Sequence, residues 1–330
     1  MKLRLSLGLA ANPRSRPIID GTVKAEGIEL VPSIVDVAEL FWRQLKFGDF
    51  DVSEMSMSTL MMIKAQGNTD WIGLPIFTTH RFFHTEISVR RQANINQPSD
   101  LRGKKIGVPD YQQTSALWAR GILEHEFGVA PREMQFWMER LPSHSLAGAV
   151  DFKAPPGVSI QQIPADKSMG TMLASGEIDA VMSYNRKLTL LDRSLVDLTS
   201  HPDIRPLFAD TIAEGARYFG KTGLFPINHG MMIKRSVVEQ HPWAVLNLLA
   251  AFDAANRVAD AQRAEHVAYH VATGTVSSEA GKALRAPIIA HGVKANRAVL
   301  ETAAAYSFEQ GLTPRLMKME DLFAESTLNQ

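Results

Sequence analysis

The sequence contains no cysteine in its 330 residues. A disulfide framework, a zinc ribbon, an iron–sulfur cluster and a thiol nucleophile are therefore excluded. Neither sign of charge is in excess, because 35 lysines and arginines balance 35 aspartates and glutamates. This balance argues against a protein that binds nucleic acid or an acidic membrane surface through its overall electrostatic field.

Long apolar segments are also missing. No uninterrupted apolar run approaches the roughly 18–20 residues that cross a bilayer. The amino terminus, MKLRLSLGLA, places leucine at every second position from residue 3, which is typical of a strand and not of the continuous apolar region of a signal peptide. Because Met1 is present and this strand begins at residue 3, we expect a cytoplasmic protein.

The chain does contain a regular alternation of strand and helix patterns. Its hydrophobic fraction is 45%, enough for a sizeable core, and at roughly 150 residues per domain its length indicates one large domain or two lobes. After the first strand, further strands are predicted at 28–31, 50–55 and 69–76, with a helix at 36–47. This βαβα order predicts a mostly parallel sheet covered by helices.

The same order restarts after residue 90. Strands are predicted at 105–108, 158–163 and 179–183, and a long helix at 115–127. Residues 140–157, rich in proline, glycine and serine, are predicted to form a surface excursion. Beyond residue 185 helix dominates, apart from one strand at 230–234, so we expect two α/β lobes and a helical carboxyl-terminal region.

The ends of these strands are where a ligand is expected. In open α/β sheets, ligands bind at the carboxyl ends of strands, near switch points and domain interfaces. The loops at the predicted strand ends are therefore candidate binding segments. They are residues 12–17, 53–58, 77–84, 109–114, 183–187 and 226–230.

Two motif matches are inconsistent with their surroundings. Residues 215–222 fit the phosphate-binding pattern G-x-x-x-x-G-K-[ST], which needs a strand before it and a helix after it. The preceding residues are instead predicted to be helical and Pro226 follows, so nucleotide binding is not expected. His266 and His270 have the spacing of a zinc pair, but no glutamate adjoins the first histidine and no third ligand is evident. A pair at the surface or the edge of the core is expected.

The loop at residues 75–87 concentrates His80, Arg81, His84 and Glu86 beside three phenylalanines. One interpretation is a strand edge with a few solvated charges. The other is a pocket with aromatic walls and cationic groups, suited to an anionic, planar ligand.

Two more guanidinium groups, those of Arg14 and Arg16, lie in the first loop. Each alone is more often a surface residue, but at the ends of adjacent strands they favour a carboxylate clamp. Tyr111, Gln112 and Thr114 lie at a predicted helix amino terminus, where backbone amides also attract anions.

Four further residues adjoin these segments. Trp118 is expected in the core, because large aromatic side chains on an apolar helix face are usually buried. Arg120 follows it on the same helix. Asn228, a candidate substrate-binding residue, and His229 begin a predicted strand, where a lone histidine is ordinarily structural.

Four segments together resemble the 4,5-dihydroxyphthalate decarboxylase family, over about residues 3–260. They are FWRQLKFGDFDVSEMSMSTL, LRGKKIGVPDYQQTSALWARGILEHEFGV, MLASGEIDAVMS and TGLFPINHGMMIKRSVVEQHPW. The family is similar to the type 2 periplasmic binding proteins. The resemblance implies an α/β, two-lobed fold, with lobe I at 1–88 plus 187–330, lobe II at 89–186 and a ligand cleft between them.

The resemblance also extends to individual positions. They are Arg14, Arg16, Ser53, Glu54, Ser56, His84, Tyr111, Gln112, Thr114, Arg120 and His229. One segment departs from the family: a pattern near F-P-S-R-x-F-R-H is expected, whereas residues 77–84 read FTTHRFFH. His80 and Arg81 are therefore the candidate substrate-binding groups there, and the number of carboxylates bound stays open.

The implied activity is a cofactor-free and metal-free decarboxylation of a dihydroxylated aromatic dicarboxylate. The enzyme would be a carboxy-lyase that protonates the ring carbon bearing the departing carboxylate. In this hypothesis Arg14, Arg16 and Arg81 bind the carboxylates. His229 or His84 donates the proton, and Glu54 accepts a hydrogen bond from a phenolic hydroxyl.

Two other functions stay open. The same cleft would serve a non-catalytic solute-binding protein for an aromatic or other small carboxylate. The altered loop also allows an enzyme that acts on a related acid, such as another hydroxylated benzoate or a pterin-like acid. We expect a homodimer, because cyclic dimers are the commonest soluble assembly.

Overall fold

The computed structural model describes residues 2–286 and 289–330, which form two large β-sheets and a two-stranded antiparallel sheet of Lys187–Leu188 and Arg193–Ser194. The strands are β1 (Leu3–Leu9), β2 (Ile28–Ile34), β3 (Val52–Ser56), β4 (Trp71–His80), β5 (Ser88–Arg90), β6 (Lys105–Val108), β7 (Gln135–Met138), β8 (Ser159–Gln162), β9 (Ala180–Val181), β10 (Lys187–Leu188), β11 (Arg193–Ser194), β12 (Ile204–Pro206) and β13 (Ile227–Lys234). The α-helices are α1 (Arg16–Ile19), α2 (Val37–Phe47), α3 (Met57–Ala65), α4 (Thr114–Phe127), α5 (Leu146–Ala149), α6 (Met169–Ser175), α7 (Thr211–Thr222), α8 (Arg235–Gln240), α9 (Trp243–Ala272), α10 (Ser278–Arg285), α11 (Val293–Glu309) and α12 (Met319–Leu322).

The first sheet, which with its covering helices we call lobe I, has the strand order β2-β1-β3-β13-β4. β1 pairs in parallel with β2 and β3, whereas β13 runs antiparallel between β3 and β4. The carboxyl ends of β3 and β4 therefore meet the amino end of β13 at one edge. This edge brings His229 opposite Ser56 in the pairing of β13 with β3.

The second sheet, which with its helices we call lobe II, has the order β12-β5-β9-β6-β7-β8. β9, β6, β7 and β8 are parallel, and β5 is antiparallel to both β9 and β12. The carboxyl ends of β6, β7 and β9 consequently share an edge. The residues just beyond them include Gln113, Arg140 and Ser183.

The observed sheets divide the chain at other residues than those predicted. The sequence prediction assigns residue 88 and residues 204–206 to lobe I, but Ser88 begins β5 and Ile204–Pro206 forms β12, both in the second sheet. These two short strands pair antiparallel at one side of that sheet. The predicted parallel pairing is confirmed for β2-β1-β3 and for β9-β6-β7-β8. The prediction is wrong for β13 with β3 and β4 and for β5 with β9 and β12, which pair antiparallel.

The helical carboxyl-terminal region covers both lobes. α9, 30 residues long, packs Leu248 and Phe252 into one apolar cluster with Leu7 and Ile76 of the first sheet. α11 contacts α4 of lobe II. Within residues 2–286 and 289–330, no helix combines the length and apolar character needed to span a bilayer.

Two local predictions can be compared with the fold directly. Residues 215–222, which match the phosphate-binding pattern, lie entirely inside α7, so the motif has neither its strand nor its loop and the match is accidental. The predicted surface excursion at 140–157 is wrong at its beginning. Ser145 and Leu146 are buried where α5 packs against α2 of lobe I, and Arg140 is buried with its partners Asp110 and Asp192.

Candidate functional site

A cavity of about 250 Å³ lies where the loop-bearing edges of the two sheets face each other. Ordinary small-molecule pockets have roughly 300–1,000 Å³, so this cleft suits a ligand of about one aromatic ring. Its apolar surfaces include Phe41, Phe83 and Tyr184. Of the predicted binding segments, 53–58, 77–84, 109–114, 183–187 and 226–230 contribute to the wall, whereas 12–17 does not.

His229 presents a polarised imidazole to this cleft. Its side chain is 10% exposed, and its Nδ1 lies 2.9 Å from Oε1 of Glu54. Because a carboxylate can only accept, Nδ1 carries the hydrogen and the neutral ring is left with an acceptor at Nε2. Nδ2 of Asn228, which also lines the cleft, lies 2.8 Å from that Nε2. The ring is thus held in one tautomer, with its other nitrogen at the cleft wall.

Glu54 is buried one layer behind His229 and does not line the cleft. The Thr78 hydroxyl donates to its Oε1 at 2.5 Å and the Ala10 amide donates to its Oε2 at 2.9 Å. Burial alone would raise the pKa of Glu54, but the bonds from His229, Thr78 and Ala10 hold that pKa below its ordinary value. The expectation that Glu54 bonds a phenolic hydroxyl is therefore wrong, since its oxygens are used within the protein.

The lobes touch through hydroxyl groups at the floor of the cleft. Oγ of Ser56, at the end of β3, lies 2.8 Å from Oγ1 of Thr114, the first residue of α4. The Ser58 amide donates to the same Thr114 oxygen at 2.9 Å. Ser56 and Thr114 were both predicted from the sequence, and the structure brings them together in the cleft wall.

Three cationic side chains line the cleft: Arg81, Arg140 and Lys187. Nζ of Lys187 lies 2.6 Å from Oδ2 of Asp36. This ion pair joins the segment after β9 of lobe II to the amino end of α2 in lobe I. Arg140 forms ion pairs with Asp110 and Asp192. Burial alone would lower the pKa of Arg140, but the two carboxylates raise that pKa above its ordinary value. Cations near an aromatic cavity suit an anionic ring compound.

The predicted clamp of Arg14 and Arg16 is not formed at this cleft. Nη2 of Arg14 donates to the carbonyl oxygen of Thr78 at 2.6 Å, in a separate small cavity lined by Asn256 and His291. Burial lowers the pKa of Arg14. Arg16 begins α1 and is exposed away from the cleft. The loop at 12–17 turns behind β4, a direction that residue types alone do not specify.

The two histidines of the loop at 77–84 also lie outside the cleft wall. His84 is fully buried against α7, where its Nε2 lies 3.1 Å from Oε1 of Glu214. Burial lowers the pKa of His84 despite the nearby Glu214 carboxylate. Nδ1 of His80 lies 3.1 Å from the Phe225 carbonyl oxygen, and burial lowers the pKa of His80 to about 4. Neither ring is placed to exchange a proton with a ligand in the cavity.

Several other residues considered in the sequence analysis are buried beneath the cleft wall and do not line the cleft. Ser53 is buried and donates to the carbonyl oxygen of Glu54. Arg120 lies over the ring of Tyr111 at 3.7 Å and donates to its carbonyl oxygen at 2.7 Å, so it orders the loop that leads into α4. Gln112 is fully buried within that loop. Trp118 is buried, as predicted, and donates to the Ile227 carbonyl oxygen at 2.9 Å.

The histidine pair at His266 and His270 lies on α9, and both rings are exposed. Among the residues that the structure describes, no group of three or more histidines, aspartates and glutamates is arranged to hold a metal ion.

Several wall residues were not identified from the sequence. They include Gln113, Ser115, Arg140, Ser183, Tyr184 and Lys187. Ser183, Tyr184 and Lys187 lie in a segment that was predicted to bind, but none of its residues was singled out. Arg140 follows β7, whose pattern QFWM was not recognised as a strand, so the usual argument from strand ends was not applied to it.

Comparison with known proteins gives two relatives of this chain. A protein of Comamonas testosteroni named 4,5-dihydroxyphthalate decarboxylase is 32% identical over 330 residues, which cover 99% of this chain and 98% of that protein. A protein of Pseudomonas putida with the same name is 33% identical over 181 residues, covering 55% of this chain and 70% of that protein.

A family model and solved structures agree with the observed fold. Residues 21–264 match the family described as ABC transporter, phosphonate, periplasmic substrate-binding protein. The periplasmic aliphatic sulphonate binding protein of Escherichia coli is similar over 100% of both chains, with a TM-score of 0.55 and 13% identity. The desulfurization enzyme DSZB is similar over 99% of this chain and 98% of its own, with a TM-score of 0.51 and 16% identity. The predicted type 2 periplasmic-binding-protein-like fold is confirmed.

Proposed function

The chain belongs to the 4,5-dihydroxyphthalate decarboxylase family, and on that premise we propose that it is a carboxy-lyase converting 4,5-dihydroxyphthalate to 3,4-dihydroxybenzoate and carbon dioxide. The observation that carries the proposal is the buried Glu54 carboxylate, 2.9 Å from Nδ1 of a histidine at the wall of a one-ring cleft. Binding alone needs no proton donor, whereas decarboxylation of an aromatic ring needs one at the ring carbon, and His229 backed by Glu54 can supply it.

The reaction consumes one proton for each carbon dioxide released. When His229 is protonated both ring nitrogens donate, so the Asn228 amide must turn to present Oδ1 instead of Nδ2 to Nε2 or release it. The Nε2 proton then goes to the ring carbon that bears the departing carboxylate. The bond between this carbon and the carboxylate then breaks, its electron pair restores the aromatic ring, and carbon dioxide leaves. A hydroxyl para to this carbon supplies electron density while the carbon is protonated. His229 regains its proton from solvent.

Glu54 serves this step without touching the substrate. Its negative charge stabilises the imidazolium form of His229, and its hydrogen bond to Nδ1 keeps Nε2 directed at the cleft. Thr78 and Ala10 hold the carboxylate in position. Glu54 is therefore a positioning residue, and His229 is the proton donor.

Turnover and binding must be measured together to test the proposal. The protein is incubated with 4,5-dihydroxyphthalate, and carbon dioxide and 3,4-dihydroxybenzoate are followed; we expect them in equal amounts. Phthalate, which has both carboxylates but no hydroxyl to donate electrons, is the matched control and is expected to release none. A substrate that raises the melting temperature without releasing carbon dioxide would instead identify a solute-binding protein.

Two properties of the whole protein remain predictions. We propose a cytoplasmic location and a homodimer, which cell fractionation and sedimentation velocity respectively test.

A further inference from the structure

Ser183 combines two unusual features at the cleft wall. Its φ is +57°, in the left-handed region that residues other than glycine, asparagine and aspartate rarely occupy. Its residue surface is 6% exposed, and its Oγ has no hydrogen-bond partner among the described residues. Strained backbone and unpaired buried hydroxyls concentrate where a ligand supplies the missing partner. Ser183 follows β9 and lines the cavity, so that partner belongs in the cleft.

Arg140 reaches the same cavity from the loop after β7. Its side chain is 4% exposed, with Nε 2.8 Å from Oδ1 of Asp192 and Nη1 3.1 Å from Oδ2 of Asp110. The two buried carboxylates together outweigh the single positive charge of Arg140, and the two bonds fix the plane of the guanidinium group. Within the described part of the chain, Nη2 has no hydrogen-bond partner. Arg140 therefore offers a ligand one oriented N–H edge.

The other arginine of the cleft is poorly suited to the same task. Arg81 is 64% exposed, and its Nη1 is paired with Oε1 of Glu86 at 3.3 Å. Water screens an exposed guanidinium group, and the long side chain must also be ordered to hold an anion, which weakens its contribution. Of the two arginines that line the cavity, Arg140 is the one with a fixed orientation, and it would hold a carboxylate through its Nη2 hydrogen bond and not through net charge.

We propose that Ser183 and Arg140 together bind the carboxylate that the product retains. The departing carboxylate must lose its charge to become carbon dioxide, so a fixed guanidinium edge beside it would favour the ground state and oppose the reaction. The retained carboxylate stays charged throughout and can be held equally in substrate and product. This inference rests on the proposed function for the identity of the ligand.

Ligand binding separates this role from a structural one. The affinity of each protein for 3,4-dihydroxybenzoate and for catechol, which lacks the carboxylate, is measured by titration calorimetry. In Ser183→Ala and Ser183→Gly we expect binding of 3,4-dihydroxybenzoate to weaken about 10-fold or more, as for a lost hydrogen bond to a charged group, while catechol binding is unchanged. Ser183→Gly should also raise the melting temperature, because glycine accepts the left-handed φ.

Arg140→Lys tests the second group while keeping a positive charge beside Asp110 and Asp192. Lysine cannot present the planar edge, so we expect the preference for 3,4-dihydroxybenzoate over catechol to fall about 10-fold or more. Arg132→Lys, at an exposed site in lobe II, is the control and should keep the wild-type preference. If Arg140→Lys does not fold, the two Ser183 variants alone decide the question.

The inference is overturned if 3,4-dihydroxybenzoate does not bind to the wild type, if its affinity is unchanged in both Ser183 variants, or if catechol binding falls by the same factor. Because these measurements need no turnover, they are independent of the decarboxylation assay. A protein that shows the expected pattern but releases no carbon dioxide would refute the proposed function and leave this carboxylate site intact. One that releases carbon dioxide with an unchanged preference would refute only the carboxylate site.

Discussion

At the scale of single residues, the proposed chemistry depends on the different partners of the two ring nitrogens of His229. Nδ1 faces a buried carboxylate, and Nε2 lies with Asn228 at the cleft wall. The hydrogen bonds that keep the pKa of Glu54 low also keep it ionised near neutral pH, so that a negative charge always lies behind the imidazole. Such an arrangement stabilises the protonated ring without competing for the substrate.

Replacing Glu54 by glutamine should lower kcat about 10- to 100-fold with little change in KM, because the charge that stabilises the imidazolium is lost but no substrate contact is. The amide also places an N–H near the Ala10 N–H, so the melting temperature should fall, and kcat is measured at a temperature where the variant is folded. Thr78→Val is the matched control: it removes a donor to Glu54 but keeps the charge, and its kcat should fall less. An unchanged kcat in Glu54→Gln would refute the positioning role.

His80 gives a prediction about acid stability. Burial lowers its pKa from 6.5 to about 4 in the folded protein, so between these pH values the unfolded chain binds a proton that the folded chain excludes. Its contribution to the free energy of unfolding is therefore complete above about pH 6.5 and is lost as the pH falls to about 4, by up to about 3 kcal/mol.

The variant His80→Asn should retain a donor for the Phe225 carbonyl oxygen but cannot titrate. Urea unfolding at several pH values should show a smaller loss between pH 6.5 and 4 than in the wild type. His266→Asn, at an exposed site, should follow the wild-type curve. Parallel pH dependence in wild type and His80→Asn would contradict the assignment.

At the scale of secondary-structure elements, the cleft depends on helices that join the two lobes away from the ligand. α4 of lobe II contacts β13 through the Trp118–Ile227 bond and is covered by α11. At this contact a Cβ added to Gly121 would lie 2.1 Å from Cδ2 of Tyr306, so only glycine permits the close approach. The amino ends of α4 and β13, which carry Thr114 and His229, are fixed by the same packing.

Gly121→Ala should consequently destabilise the protein by about 1–3 kcal/mol, because overpacking outweighs the better helix propensity of alanine. Gly220→Ala in α7 is the matched control, since an added Cβ there meets nothing within 4 Å, and it should stabilise the protein by about 0.5–1 kcal/mol. Urea denaturation measures both values. The packing argument fails if Gly121→Ala is as stable as the wild type.

The sequence predicted several helices and strands correctly but not where individual side chains lie. Hydrophobic periodicity and glycine stops predicted the strand at 105–108 and the helix that ends before Gly128, because those signals are local. The positions of Arg14 and His84 were not predictable in this way. Arg14 passes behind β4 and His84 pairs with Glu214, which is 130 residues away in the sequence. Arg140 was missed because β7 was not recognised as a strand, and its partners Asp110 and Asp192 lie 30 and 52 residues away in the sequence.

At the scale of the whole molecule, the site exists only because two sheets present their loop-bearing edges to each other. Lobe I supplies the imidazole and its carboxylate, and lobe II supplies the buried guanidinium and Ser183. The ion pair of Asp36 and Lys187 and the hydroxyl contact of Ser56 with Thr114 connect the two walls. A fold shared with periplasmic binding proteins thus becomes a catalytic one through a small number of side chains at this interface.

The rate of carbon dioxide release from 4,5-dihydroxyphthalate by wild type and His229→Asn, at saturating substrate, tests this account most directly. We predict that the variant binds the substrate with an affinity close to that of the wild type but releases carbon dioxide at least about 100-fold more slowly, because its proton donor is gone. His266→Asn, an exposed histidine on α9, should retain the wild-type rate. Release at the full rate by His229→Asn would contradict the account.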